Sequence, residues 1–442
     1  MTTKAKSKFP YDLDDLYDRG RKLITQSVEC GVTLMRAHVE VDETVHYACL
    51  DAGLRLRKLF RDICHVQIAG KASPRSQPRP ALGSRAPPHT PVFAQDPLFA
   101  SPSDERPGLN YVLLQGALRR HGVEAVGSAP YVEPSVAHAK RNIELVLDLA
   151  FEHGLHADFH LDYNLDPAAE PLLWHLLDEL RRRIAAGRWR PGAHVSVGHA
   201  TRLTLFGQEE WAALRAALLD ERLPVTLVGL PPSDLYMMGR GMPGAPRGTL
   251  NVPRMATEHG IRAAMAVNNV ENAFTPQGTV DPLALCPMGV AIFQAGTKID
   301  CRTLLVSPLP KPARSRACVL TAFPSFSSPS SAPRVAPTRA LRRDAIPARD
   351  RTHDTQQESV TLNARLAIGG YHKGSPHVSI TPGPGTVADF VLLHDNDTLH
   401  SAALSPSFSR TTVRHGVVVA RRLQHSWIMP QKTPSPEPSP PE

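Results

Sequence analysis

At 442 residues the chain has room for one large domain or two ordinary ones. Hydrophobic residues make up 42% of it, enough for a core, yet its 42 prolines are about twice the usual share and predict stretches that stay outside the fold. No run reaches the roughly 20 apolar residues of a membrane helix, and the opening MTTKAKSKFPYDLDD lacks an apolar centre of the secretory kind. A cytoplasmic protein with no membrane partner is the expectation. The net charge of +8 points at first to nucleic acid, but its distribution does not. Residues 70–91 hold four basic and no acidic side chains, and residues 306–357 nine basic against three acidic, so the rest is slightly acidic, at −2. A nucleic-acid binder using the Arg-rich stretches is therefore the weakest reading. The six cysteines (Cys30, Cys49, Cys64, Cys286, Cys301 and Cys318) form no CxxC pair and read as reduced thiols.

In chain order, a helical pattern closes at Arg21–Cys30, and GVTLMRAHVEV (Gly31–Val41) reads as a buried strand. Thr44–Arg61 is helical; a strand begins at Cys64–Ala69 and resumes at Val92–Gln95. Leu109–His121 is helical, Ala125–Tyr131 extended, and Val136–His153 a strong amphipathic helix before the strand Ala157–Leu161. Helices at Pro171–Ala186, Gln208–Asp220 and Val252–His259 then alternate with strands at His194–Ala200, Pro224–Leu230 and Arg262–Val270. Strands alternating with helices of this length predict a parallel sheet with helical crossovers. There are seven such strands where a closed barrel has eight. The expected architecture is a (β/α)8 TIM-type barrel lacking its first strand, followed at Val378–Arg422 by a strand, a Gly turn, a strand and a hairpin-like pair.

The barrel is expected over residues 1–305, with a helical end at 358–377, the strand-rich segment at 378–422 and a disordered tail at 423–442. The two stretches 70–91 and 306–357 interrupt it. Both are rich in Pro, Arg, Ser and Ala without hydrophobic period, the composition of disordered linkers. Gly70-Lys71 can be encoded GGT AAG and Val306-Ser307 GTG AGT, both containing a splice-donor sequence; Pro91-Val92 and Gln357 can supply the acceptor CAG. In-frame excision of 22 and 52 residues yields CHVQIAVFAQDPLF and CRTLLESVTLNARLAIGG. Both stretches are read as translated introns of a fungal-type gene.

Five strings in order carry a resemblance: RAHVEVD (Arg36–Asp42), FAQDPLF (Phe93–Phe99), GSAPYVEP (Gly127–Pro134), DFHLDYNLD (Asp158–Asp166) and VSVGHATRL (Val195–Leu203). They resemble the second to sixth barrel strands of cytosine deaminase, in the amidohydrolase superfamily. ADFVLL and TVRHGVVVA resemble the family's small β-sandwich, so residues 378–422 are expected to be a remnant of it. The resemblance implies a metal-dependent hydrolase of a non-peptide C–N bond, acting on a cyclic amidine or pyrimidine-type small molecule, with one divalent ion, zinc or iron. It implies His160 as a metal ligand, His199 as the residue that orients the attacking hydroxide and Gln95 as a reader of the substrate's amide edge; Asp162 is read either as a loop cap or as a second substrate contact. His38 falls in the barrel mouth. A homo-oligomer is compatible with the class.

Three departures qualify this. No His-x-His pair, the family's first-strand ligands, precedes His160, which agrees with a first strand lying upstream of Met1. The eighth-strand aspartate falls on Asn268, and an amide cannot act as the base. The proton-shuttling glutamate falls on Tyr163, whose ordinary pKa of about 10 suits it poorly to that task. The competing reading is a catalytically inactive barrel with an incomplete metal site.

Overall fold

The computed structural model of the chain describes residues 6, 11–67, 92–242, 244–272, 275–305 and 388–427. The stretches 70–91, 306–357, 358–377 and 428–442 lie outside the described residues.

Helix α1 (Leu13–Glu29) starts at Asp12, whose carboxylate accepts from Asp15 N–H, and so begins earlier than the sequence pattern suggests. It leads into strand β1 (Leu34–Arg36), helix α2 (Ala48–Phe60) and strand β2 (His65–Gln67). Strand β3 (Val92–Ala94) then opens the regular alternation: α3 (Leu109–Leu118), β4 (Ala125–Ser128), α4 (Val136–His153), β5 (His156–Leu161), α5 (Leu172–Ala185), β6 (Val195–His199), α6 (Gln208–Arg215), β7 (Val225–Gly229), α7 (Pro231–Met237), α8 (Val252–His259) and β8 (Ala263–Met265). Helices α9 (Leu285–Phe293) and α10 (Lys298–Leu305) follow.

Strands β3 to β8 form a six-stranded sheet in chain order, every pairing parallel. Parallel strands need crossover helices, which cover the sheet and let its strands be apolar almost throughout. β4 and β6 are accordingly buried at every position. Helix α4 shows the local logic. Ser135 caps its start by accepting from His138 N–H, and Gly154 ends it at φ 70°, where a side chain is disfavoured. Between them Ile143, Val146, Leu147 and Ala150 recur at helical spacing and are buried against the sheet. Gly127 on β4 is required by close packing: a Cβ there would sit 2.3 Å from the Asp158 carbonyl and 2.6 Å from the Phe93 ring.

β1 pairs with β2 in parallel, Leu34 opposite His65 and Arg36 opposite Gln67. The chain beyond β1 then bridges β3 through Glu40 and Phe93, with Phe93 N–H donating to the Val39 carbonyl and Val41 N–H to that of Phe93. The expected strand running from 64–69 into 92–95 is thus found as two pieces against one partner.

A second, three-stranded antiparallel sheet holds β9 (Phe390–Leu393), β10 (Arg410–Arg414) and β11 (Val417–Arg422), with the short helix α11 (Leu399–Leu404) in the loop. The buried Arg410 fixes it to the segment before α9 by a bidentate pair with Asp281, both contacts 2.7 Å, and Thr412 Oγ1 donates to the Val28 carbonyl of α1 at 2.6 Å. Among the described residues no helix is long and apolar enough to cross a membrane, and five free cysteines form no disulfide.

Candidate active site

The C-terminal ends of parallel strands point one way, and the side chains there converge. His160 lies near the end of β5 and His199 closes β6. Register places His160 opposite Gly198, and a Cβ at 198 would come within 3.0 Å of the His160 ring, so the glycine leaves room for the imidazole. The His160 and His199 rings are 4.8 Å apart, edge to face. Asp162, His199 and Asn268 all take positive φ, at 52°, 68° and 63°. Such a conformation costs a non-glycine residue on the order of 1–3 kcal/mol and concentrates at functional sites.

Burial, reinforced by the nearby His199 and His38, holds His160 well below the usual imidazole range. It is therefore neutral at pH 7, with a lone pair to offer. On its other side stand Phe93 at 4.7 Å and His38 at 5.4 Å between ring centroids. His38 Nε2 lies 3.2 Å from Asp158 Oδ2, which also takes Arg36 Nη1 at 2.5 Å. Burial pushes the Asp158 carboxyl up, but His38 and Arg36 outweigh it and hold the group well below the usual carboxylate range.

His199 is held from behind. Its Nδ1 is 2.7 Å from Asp234 Oδ1, on the first turn of α7, and Asp234 is fully buried. The other Asp234 oxygen accepts from Thr249 Oγ1 at 2.7 Å and Leu230 N–H at 3.2 Å. Tyr163 stacks on the His199 ring at 3.8 Å, and its hydroxyl donates to the Ser233 carbonyl at 3.4 Å. Burial, with Asp234 and Tyr131 nearby, raises the Tyr163 phenol further above its ordinary value, so it is a neutral wall at pH 7. Asn268 Nδ2 donates to Ser233 Oγ at 2.7 Å. Ser233 and Asp234 thus tie together the ends of β5, β6 and β8. Sequence reasoning missed both; the Pro-Pro-Ser-Asp start of a short helix after a strand is a local signal only for a cap.

The remaining expected residues divide. Gln95 is half-buried, its Nε2 donating to Tyr131 OH at 3.3 Å, and Tyr131 stands 6.5 Å from His199 between ring centroids. Asp162 is spent elsewhere: its two oxygens accept from Leu172 and Leu173 N–H at 2.7 and 3.1 Å, capping α5 from ten residues away. Burial raises its carboxyl to about 6. Two cavities of about 420 and 470 Å³ are lined by residues such as Arg240 and Arg247 or Trp211 and Arg254, not by His160 or His199, so convergent side chains rather than volume define the site.

Among the described residues, three groups place ligand-type atoms within reach of one ion: His38, Asp158 and His160; Glu40, Asp42 and Asp96; and Glu144, His175 and Glu179. In the first, Asp158 already carries the Arg36 guanidinium. In the second, the Lys6 ammonium sits 2.6 to 2.9 Å from all three carboxylates. In the third, on the outer helices, Glu179 pairs with Arg182 and Arg183. A catalytic zinc takes about three protein ligands. At the positions the cytosine-deaminase resemblance marks, the described residues supply one imidazole, His160, and one amide, Asn268, and do not complete that set.

No protein-family model and no curated protein matches the sequence. Solved structures do. The 5-methylcytosine deaminase from Klebsiella pneumoniae, liganded with phosphonocytosine, superposes with a TM-score of 0.63 at 19% identity, over 94% of this chain and 78% of that one. This chain has the fold of that deaminase. N-isopropylammelide isopropylaminohydrolase from Burkholderia multivorans ATCC 17616 gives a TM-score of 0.56 at 18% identity, over 91% of this chain and 74% of that one. The resemblance to cytosine deaminase read from the five strings therefore agrees with the fold, and His160 and His199 lie on adjacent strands of this chain's own parallel sheet.

Proposed function

We propose that this chain is a hydrolase of a non-peptide C–N bond in a small, planar nitrogen heterocycle, of the kind named for the structures whose fold it shares. The observation that carries the reading is the pairing of His199 with the buried Asp234, 4.8 Å between rings from a neutral His160 at the ends of adjacent parallel strands. An imidazole backed by a carboxylate can take a proton from water or substrate. Tyr163 and Tyr131 wall the ring, and Gln95 offers an amide that pairs with the edge of a pyrimidine-like base. Phe93 closes the floor beside His160.

One divalent ion, zinc or iron, is the cofactor that the resemblance implies; it would polarise water, and His160 is the described residue suited to hold it. The barrel closure and the sandwich character of the C-terminal sheet belong to the same proposal. So does the identification of residues 70–91 and 306–357 as inserts.

The test is ammonia or amine release from cytosine, 5-methylcytosine and N-isopropylammelide by the purified chain supplied with zinc or iron. Release lost in His199→Gln supports the reading; no release from any of them, with a folded protein, counts against it. A second reading, a barrel that binds such a ring without turning it over, draws on the amide of Asn268 and the neutral phenol of Tyr163 at acid–base positions. Calorimetric binding of a heterocycle with no product would favour it.

A further inference from the structure

We infer that Asp234 is a positioning residue that fixes His199 as its Nδ1–H tautomer, presenting a bare Nε2 to the site. The inference rests on the reading of His199 as the proton-handling residue, but the tautomer can be measured without any turnover.

The hydrogen-bond frame around Asp234 is closed. Oδ1 faces His199 Nδ1 at 2.7 Å, while Oδ2 accepts from Thr249 Oγ1 and from the Leu230 amide. A carboxylate only accepts, so at the first contact the imidazole must donate. In the neutral ring the lone pair then falls on Nε2. Asp234 has no solvent-accessible surface and His199 is 3% exposed, so water does not compete for either group. The backbone enforces the aim: His199 and Ala200 take φ of 68° and 50° in succession, turning the chain at the strand end. Tyr163, stacked at 3.8 Å, limits rotation of the ring. Asp234 is 35 residues from its partner along the chain, and its hydrogen bonds run to His199, Leu230 and Thr249.

The same frame predicts what an amide would do. In Asp234→Asn the Leu230 N–H still needs an acceptor, so the amide oxygen takes the Oδ2 position. The NH2 group then faces His199 Nδ1, which must accept, and the ring proton moves to Nε2. A substitution of almost no volume thereby inverts the base.

The experiment is nitrogen NMR of the full chain labelled at histidine nitrogens, at pH 8, with the His199 signals assigned by their loss in His199→Gln. The expected wild-type result is a protonated Nδ1 and a bare Nε2, with the two exchanged in Asp234→Asn. A wild-type ring protonated at Nε2, or at both nitrogens, overturns the inference. If Asp234→Asn does not fold, the wild-type spectrum decides alone. Where the wild type turns over a heterocycle, Asp234→Asn should lower kcat by on the order of 10³–10⁴-fold with KM little changed. An Nδ1–H tautomer in a protein without turnover sinks the hydrolase reading and leaves this inference standing.

Discussion

Deleting residues 70–91 is expected to stabilise the protein, and the pairing register supplies the reason. Against the segment that begins with β1, β2 pairs with an offset of 31 in residue number, Leu34 with His65, whereas β3 pairs with an offset of 53, Glu40 with Phe93. The offsets differ by 22, the number of residues between the two splice-like junctions. The hydrogen-bond phase also continues: Ala37 donates to Gln67, and Val39 and Val41 take up the alternation with Phe93. That register is the one the proposed insertion of 22 residues into a single strand requires. Holding the ends of such a stretch at consecutive strand positions costs about 3 kcal/mol from the logarithmic dependence of closure entropy on length. The deletion should raise the urea midpoint by that free energy divided by an unchanged m-value. Deleting only 70–90 makes the sharper control. A slip of one residue turns every side chain to the opposite face, and Phe93 would leave its place beside His38 and His160. That variant should be less stable than the 22-residue deletion. Equal midpoints for the two deletions, or a lowered midpoint for the longer one, would refute the single-strand reasoning.

Three further outcomes are expected. Asn268→Asp should raise zinc affinity measured by competition with a chromophoric chelator, because it replaces a neutral amide with an anionic ligand at the end of the last parallel strand; unchanged affinity would remove Asn268 from the metal's neighbourhood. His194 is held by burial, with Arg36 adding to it, at about 4 against an ordinary 6.5, so the unfolded chain takes up its proton first as pH falls. The resulting stability is present above pH 6.5 and lost towards pH 4, by about 3 kcal/mol in all, and His194→Gln should flatten acid denaturation relative to wild type over that window. Arg410→Met strands the Asp281 carboxylate against the antiparallel sheet and should cost about 3–5 kcal/mol in chemical denaturation.

Where the sequence reading succeeded, the signal was periodic. The strands that became β4 to β8 announce themselves by buried runs between amphipathic helices, and the helices at Val136–His153 and Val252–His259 match their expected bounds. Strand ends were less legible. The run Arg262–Val270 keeps only Ala263–Met265 in the ladder, because the chain turns at Asn268 with φ 63° to bring the amide to Ser233. The same left-handed turn occurs at Asp162 and His199, where composition alone gives no warning.

The site shows a different boundary. His160 and His199 could be found because a strand end is a local feature, and the resemblance gave their positions. Asp162 carried two readings, a loop cap or a substrate contact, and the cap it forms on α5 spans ten residues, beyond the reach of an ordinary helix-capping pattern. Lys6, an unremarkable charge in a polar opening, neutralises Glu40, Asp42 and Asp96 at the mouth, and so takes from them the role of cation ligands. Asp234 is the most telling case. In sequence it is one acid in the first turn of a seven-residue helix; in space it lies 2.7 Å from His199 Nδ1 and is the group on which the proposed tautomer of that ring rests. First contacts to a ligand lie on strand ends and follow the period of the fold. The groups that set their protonation come from loops whose only constraint is three-dimensional, so the proposed chemistry of this parallel sheet has to be tested at Asp234 before it can be assigned to His199.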